Sequence, residues 1–307
     1  MNWLSSFAAK LGFAAAGVFF LVPGYSFATE NGDTNWPLGV QTVVPAILPP
    51  PGATEFYSYT VYYKADSFKG GDGKSAIPGF GLENFVQALR VVHTWNYQTE
   101  SGAKFSSGII GSTNHVKVDA FGMSDEDAGL KQLYVTPLYI TYSPAENLHL
   151  LTGFSAFLPF GDYNKKDLAN NSSNYATYTQ EFAATWFPNK SWEVSIAPTI
   201  SFNAENTDTN YRSGNVLNVD YLLGYRFESN PKIQVGLAGY YTKQFSDDER
   251  DGREVADGNR LEKFAIGPQL FYSFDEASGV VVKWLHETSV EYGPKGDSVW
   301  VEFAFPL

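Results

Sequence analysis

Four histidines, His93, His115, His149 and His286, are the side chains best suited to hold a transition metal, and none stands in a close pair such as H-x-x-x-H. A zinc site needs three or four converging nitrogen, sulfur or carboxylate ligands, and the chain has no cysteine to contribute. No metal and no other cofactor is expected. His286-Glu287, with Ser289 close by, supplies the residue types of a hydrolase. A triad needs its acid to orient the imidazole, but neighbouring residues of a strand point to opposite faces, so Glu287 cannot orient His286. The run DDERDGREVADG at 247–258 has the acidity of a calcium loop without the EF-hand ligand spacing. It reads as a solvated loop with weak internal ion pairs, and loose divalent-ion binding there stays open. The chain is read as a non-enzyme.

A second group of polar residues is more informative because of what surrounds it. Glu181, Glu193, Asp220, Arg226, Gln234, Lys263, Gln269, Lys283 and Glu287 each fall on the polar face of a run whose other face is apolar and aromatic. In 191–203, Trp192, Val194, Ile196, Ile200 and Phe202 oppose Glu193, Ser195, Thr199, Ser201 and Asn203. In 260–274, Phe264, Ile266, Leu270, Tyr272 and Phe274 oppose Lys263, Ala265, Gly267 and Gln269. Strict alternation is the signature of a strand. Runs of ten or more residues, longer than the roughly five or six of an ordinary strand, match transmembrane β-strands with lipid-facing and lumen-facing sides. The nine polar residues are therefore lumen-lining candidates. Either they knit the wall together by charge pairing, or they set what passes.

The elements that must carry them follow from the same pattern. Strands are expected at 55–64, 84–97, 103–114, 131–142, 147–160, 174–187, 191–203, 215–227, 233–245, 260–274, 279–291 and 298–307. The run at 84–97 fits least well, because Gln87, Arg90 and His93 do not share a face. Short turns near 100–102, 144–146, 188–190, 229–231 and 276–278 alternate with longer polar loops at 65–83, 115–130, 161–173, 204–214 and 246–259. Outer-membrane barrels have such a rhythm, with short turns in the periplasm and long loops outside. The link at 293–297 is short although it should lie outside. The fold class expected is all-β: a single antiparallel outer-membrane barrel of roughly twelve strands over 55–307.

Composition agrees. Mean hydropathy is −0.21, which a barrel tolerates because every second residue faces the lumen. Aromatics reach 16%, including 19 Tyr, suited to the membrane interface. A formal charge of −12 argues against nucleic acid as a partner. Residues 1–28 read as a cleaved secretory leader: Lys10, an apolar run 11–22, and Ser26-Phe27-Ala28 before the cleavage point. Residues 29–54 form a proline-rich stretch with apolar Val40, Val43, Val44, Ile47 and Leu48, read as a periplasmic arm or a plug in the barrel mouth. Pro137, Pro198 and Pro268 each interrupt a strand on its outward face. Proline cannot donate to the ladder, so these are candidates for bulges or for a lateral opening in the wall.

The segments WPLG (36–39), PAILPPPG (45–52), LPFGDY (158–163), DYLLGYRF (220–227), VGLAGYYTKQ (235–244) and GNRLEKFAIGPQ (258–269) resemble the proteobacterial outer-membrane family named for the phenol meta-cleavage pathway. The resemblance implies a transporter-like barrel that accompanies aromatic degradation, with no catalytic motif to carry across. The function expected is passive uptake of small hydrophobic or aromatic compounds across the outer membrane, with outer-membrane lipid as the surrounding partner. The alternatives are a general small-solute porin and an outer-membrane lipid hydrolase. Substrate identity and oligomeric state are not readable from the chain.

Overall fold

The structure is a computed structural model that describes Gly32 and residues 34–275 and 277–307; the expected leader, 1–28, lies outside the described residues. Fifteen strands follow in order: β1 (Thr54–Lys69), β2 (Gly81–Gln98), β3 (Lys104–Ala120), β4 (Met123–Ala145), β5 (Leu148–Pro159), β6 (Thr177–Trp186), β7 (Trp192–Asn203), β8 (Tyr211–Arg212), β9 (Val216–Phe227), β10 (Asn230–Gln244), β11 (Glu249–Arg250), β12 (Arg253–Glu254), β13 (Glu262–Ser273), β14 (Gly279–Glu291) and β15 (Gly293–Pro306). Twelve of them close into one antiparallel barrel, and β8, β11 and β12 form a small separate sheet. Closure joins β1 to β15 from Glu55↔Pro306 to Lys69↔Gly293, and the last N–H, of Leu307, donates to the Thr54 carbonyl at 2.9 Å. No strand edge of the barrel is left open, as a membrane interior without water demands.

The alternation read from the chain sets the two faces. In β7, Trp192, Val194, Ile196 and Phe202 are exposed while Glu193, Ser195, Thr199 and Ser201 are buried. The barrel is inverted relative to a water-soluble protein, with Trp, Phe and Leu outside and carboxylates inside. So large an apolar exterior is stable only against lipid. β2 is a full strand because its awkward Gln87 is satisfied on the outer face. It accepts from Thr60 Oγ1 at 2.7 Å and donates to Ser58 Oγ at 3.0 Å.

Three expected loops are corrected. Residues 65–69, 81–83, 115–120, 123–130 and 293–297 are strand, so the stretches 65–83, 115–130 and 293–297 are largely hairpin. These extensions rise beyond the apolar band, where the outward face meets water instead of lipid and needs no apolar side chains, so polarity misleads there, while the inward side packs Phe68, Ile77 and Ala120 together. The β3–β4 hairpin turns at Phe121 (φ 56°) and Gly122 (φ 77°), two left-handed residues in a row as a tight twisted hairpin prefers. Asp125 Oδ2 accepts from the Leu168 and Ala169 N–H groups, and Asp127 Oδ2 from that of Asn171. The expected polar loops 204–214 and 246–259 carry β8, β11 and β12. Long connections thus gather at one end of the barrel, and short turns gather at the other with Thr54 and Leu307.

Candidate functional site

Residues 34–53 thread the lumen from the long-loop end to the short-turn end. At the top, Asn35 Nδ2 donates to Thr177 Oγ1 at 2.8 Å, and its carbonyl accepts from Gln132 Nε2 at 3.1 Å. Trp36 packs edge-on against Tyr134 and Phe157, ring centres 6.1 Å away in each case. At the bottom, the Gly52 N–H donates to the Thr94 carbonyl at 2.9 Å. The prolines explain the irregular path: they remove donors and fix φ, so the segment cannot join the sheet and must find side-chain partners.

Those partners are the wall carboxylates. Asp220 accepts from the Gly39 N–H on Oδ1 and the Gln41 N–H on Oδ2, each at 2.9 Å. Glu181 Oε2 accepts from Gln41 Nε2 at 2.7 Å, and its Oε1 accepts from Tyr134 and Ser155. Glu193 Oε1 accepts from the Val44 N–H at 2.9 Å, while Oε2 takes Gln234 Nε2 at 2.7 Å. Thr42 Oγ1 donates to Gln269 Oε1 at 2.6 Å and accepts from Lys283 Nζ at 2.9 Å. Hydrogen bonds to an ionised group are worth about 1.5–3 kcal/mol each, so the clasp is strong. Gly39 (φ +87°) passes so near the wall that a Cβ there would stand 2.5 Å from Leu285 Cδ1.

The remaining lumenal candidates form a second network. Lys263 Nζ donates to Glu287 Oε1 at 2.9 Å, and Glu287 also accepts from Tyr240, Tyr63 and the Gly296 N–H. Lys283 Nζ lies 2.6 Å from Glu302 Oε1, an ion contact that lacks hydrogen-bond alignment, and 5.1 Å over the Trp300 ring. Arg226 stands apart near the short-turn end, where it donates to the Pro231 carbonyl at 2.8 Å. The other eight are buried.

The segment fills only one side of the barrel. Between it and the inner faces of β1, β2 and β15 runs a cavity of about 650 Å³. It reaches from Leu82 and Pro294 at the long-loop end to Glu55, Ala277 and Ser278 at the short-turn end. Much of its lining is apolar: Leu38, Val40, Val61, Val86, Ile110 and Trp300 among others. Arg90 and Tyr59, also in the lining, were not singled out in the chain as site residues. The signal was present in Asn84, Val86, Ala88, Arg90 and Val92, which share one face of β2, but it was masked by Gln87 and His93 on the other.

Pro137, Pro198 and Pro268 all face outward, and none lines the cavity. Each interrupts a ladder. At Pro137 the β4–β5 register shifts between Val135 and Leu138. Opposite Pro198, pairing skips from Glu181↔Thr199 to Ala184↔Ile196, and opposite Pro268 from Ile266↔His286 to Gln269↔Lys283. The two strands stay close beside Pro268, where a Cβ on Gly267 would lie 1.7 Å from the Trp284 carbonyl oxygen. His286 is on the outer face, with Nδ1 2.9 Å from Asp297 Oδ1, whereas Glu287 points inward. The acidic run 247–258 holds its own structure: Asp248 accepts from Tyr211, the Gly214 N–H and Gln244. Asp247 pairs with Arg260 at 2.6 Å. Outside the membrane-spanning strands, burial and the neighbouring Asp248 carboxylate push the Tyr211 phenol up. A hydrogen bond to Asp257 pushes Tyr292 up to about 12.

Residues 65–303 match a family model described as "Putative MetA-pathway of phenol degradation". Among curated proteins no sequence match was found. Among solved structures, the COG4313 outer membrane channel from Pseudomonas putida F1 is similar with a TM-score of 0.76 and 17% identity, covering 86% of this chain and 98% of that one. The β-domain of the Bordetella autotransporter BrkA (TM-score 0.48, 9% identity, 83% and 99% covered) and the KdgM porin (0.39, 11%, 82% and 98%) also match.

Proposed function

Since the chain belongs to the family whose model spans residues 65–303, we propose that it is an outer-membrane channel for passive uptake of small hydrophobic or aromatic solutes, linked to aromatic degradation. The observation that carries this reading is the off-centre conduit. It runs the length of the barrel, is largely apolar, and has a volume of about 650 Å³, within the range of small-molecule sites. The solved structure with TM-score 0.76 is called an outer membrane channel, which supports the role. In this reading residues 1–28 are the export signal, the long loops face outward, and residues 34–53 act as a plug. A twelve-stranded barrel with a chain segment inside it leaves little room for hydrated sugars, which weighs against a general porin. For a lipid hydrolase, His286 has an acid partner in Asp297, which also accepts from Trp284, yet among the described residues no serine is hydrogen-bonded to His286.

The test is uptake by porin-deficient cells expressing the full chain, comparing toluene, phenol, a fatty acid and a sugar. Faster uptake of toluene or phenol with no gain for the sugar is expected. Equal gains for all four would favour the porin, and no gain for any would end the channel reading. Deleting residues 37–51 should add leak of polar solutes. Unchanged single-channel conductance after that deletion would show that the segment does not plug.

A further inference from the structure

We propose that the conduit contains an anion-recognition station centred on Arg90, and that the solutes it selects are small aromatic carboxylates of the benzoate type. This rests on the channel reading above and narrows its substrate class. Arg90 sits on the inner face of β2 and lines the cavity. Its guanidinium carbon lies 5.1 Å from the Tyr57 ring centre and 5.4 Å from that of Tyr139. One nitrogen, Nη1, donates to the Tyr59 hydroxyl at a long 3.3 Å.

Arg90 has no carboxylate partner, a condition it shares within this lining only with Arg226 among the arginines, which donates to the Pro231 carbonyl near the short-turn end. The lumenal ammonium groups are matched to carboxylates, Lys263 to Glu287 at 2.9 Å and Lys283 to Glu302 at 2.6 Å. No carboxylate of the described residues lies within ion-pair distance of Arg90. Glu181 is already engaged by Tyr134, Ser155 and Gln41. Glu55, lower on the same wall, accepts from Tyr57 at 2.9 Å. An arginine carries five N–H donors, and one is used here. The Tyr57 and Tyr139 rings supply cation–π attraction but accept none of the remaining N–H donors as a carboxylate would. The geometry makes sense if a visiting acceptor completes the site. With two rings close to the guanidinium, its planar fork of N–H donors suits the two oxygens of a carboxylate. Val86, Ala88 and Ile110, also in the lining, provide the apolar wall that an attached ring would cover.

The measurement is bi-ionic reversal potential across planar bilayers containing the full-length protein, at a pH where the test ions are charged. The probes are benzoate, acetate and benzylammonium. Wild type is expected to pass benzoate more readily than the smaller acetate and to disfavour benzylammonium. Arg90→Gln should lower the benzoate-to-acetate permeability ratio by about tenfold, and Arg90→Lys, which keeps the charge without the fork, should fall between. Heat-modifiable gel mobility checks that each variant barrel is folded. If Arg90→Gln is folded and the ratio is unchanged, or if all three ions lose permeability equally, Arg90 serves the wall alone and the proposal is overturned while the channel stands. Absence of current in wild type with every salt would remove the channel reading, and this proposal with it.

Discussion

Asp220 holds the backbone of residues 34–53 with both carboxylate oxygens, one receiving the Gly39 N–H and the other the Gln41 N–H, each at 2.9 Å. A carboxylate is the side chain that can accept on both oxygens at once. Asp220→Asn keeps the shape but turns an NH2 toward one of those N–H groups. The expected loss is about 2–4 kcal/mol of clasp strength from one broken charged hydrogen bond and one weakened. Open probability of the lumen should rise at least tenfold in single-channel records, and identical records for the two proteins would contradict this.

Gly39 gives an orthogonal way to loosen the same contact. Its φ of +87° disfavours any L side chain, and a Cβ would stand 2.5 Å from Leu285 Cδ1. Gly39→Val is expected to cost at least about 1–2 kcal/mol from the backbone alone and to increase leak of polar solutes while the barrel's heat-modifiable gel shift persists. A variant as tight as wild type would place the anchoring elsewhere.

Because the chain has no cysteine, topology can be read with single introduced thiols. Arg253→Cys, in β12, should react with a membrane-impermeant maleimide on intact cells. Asn230→Cys, the first residue of β10 beside the short turn at 228–229, should react only after the outer membrane is broken. Reaction of Asn230→Cys on intact cells would invert the orientation.

Pro198 and Pro268 face lipid and lie away from the conduit. Replacing each by Val, a strong strand former, is expected to leave uptake of an aromatic hydrocarbon unchanged and to raise resistance to urea slightly. A marked fall in uptake with a folded barrel would instead establish exit through the wall at those two sites.

Asp275, in a short turn, carries a pH prediction. The Ser278 hydroxyl, with the Ala277 and Ser278 N–H groups, holds its carboxyl below the ordinary value. A lowered folded pKa contributes stability above the unfolded value, near pH 4, and that contribution fades as pH falls through the folded one. Asp275→Asn should therefore be less stable than wild type at pH 7, and the difference in urea midpoint should shrink below about pH 4. A difference that stayed constant down to pH 2 would assign the effect to something other than this charge.

The barrel was legible because one face of each strand had to meet lipid. Trp192 to Phe202 on β7 and Phe264 to Phe274 on β13 announce themselves by alternation alone. Once a strand leaves the membrane that constraint lapses, which is why Ser124 to Asp127 read as loop although they lie in β4. The buried carboxylates were visible as polar residues opposite apolar ones, but their partners were not. Asp220 and Gly39 are far apart in the chain, and no local pattern encodes that contact. Arg90 was obscured for a different reason: Gln87 satisfies itself on the outer face through Ser58 and Thr60, so β2 carries polarity on both sides.

Leu307 seals the barrel against Thr54, and the segment that begins at residue 34 already lies within the ring that this seam completes. A cylinder joined by its first and last staves cannot close until the final stave has been delivered, and such distant pairing is slow. Either the sheet curls around its own N-terminal cord, as a sheath forms around a core, or the cord is drawn through afterwards from the Thr54 end. The two histories predict different behaviour for a chain whose cord is made too bulky to pass. In the first it would still assemble around the obstruction, and in the second it would mature with an empty bore.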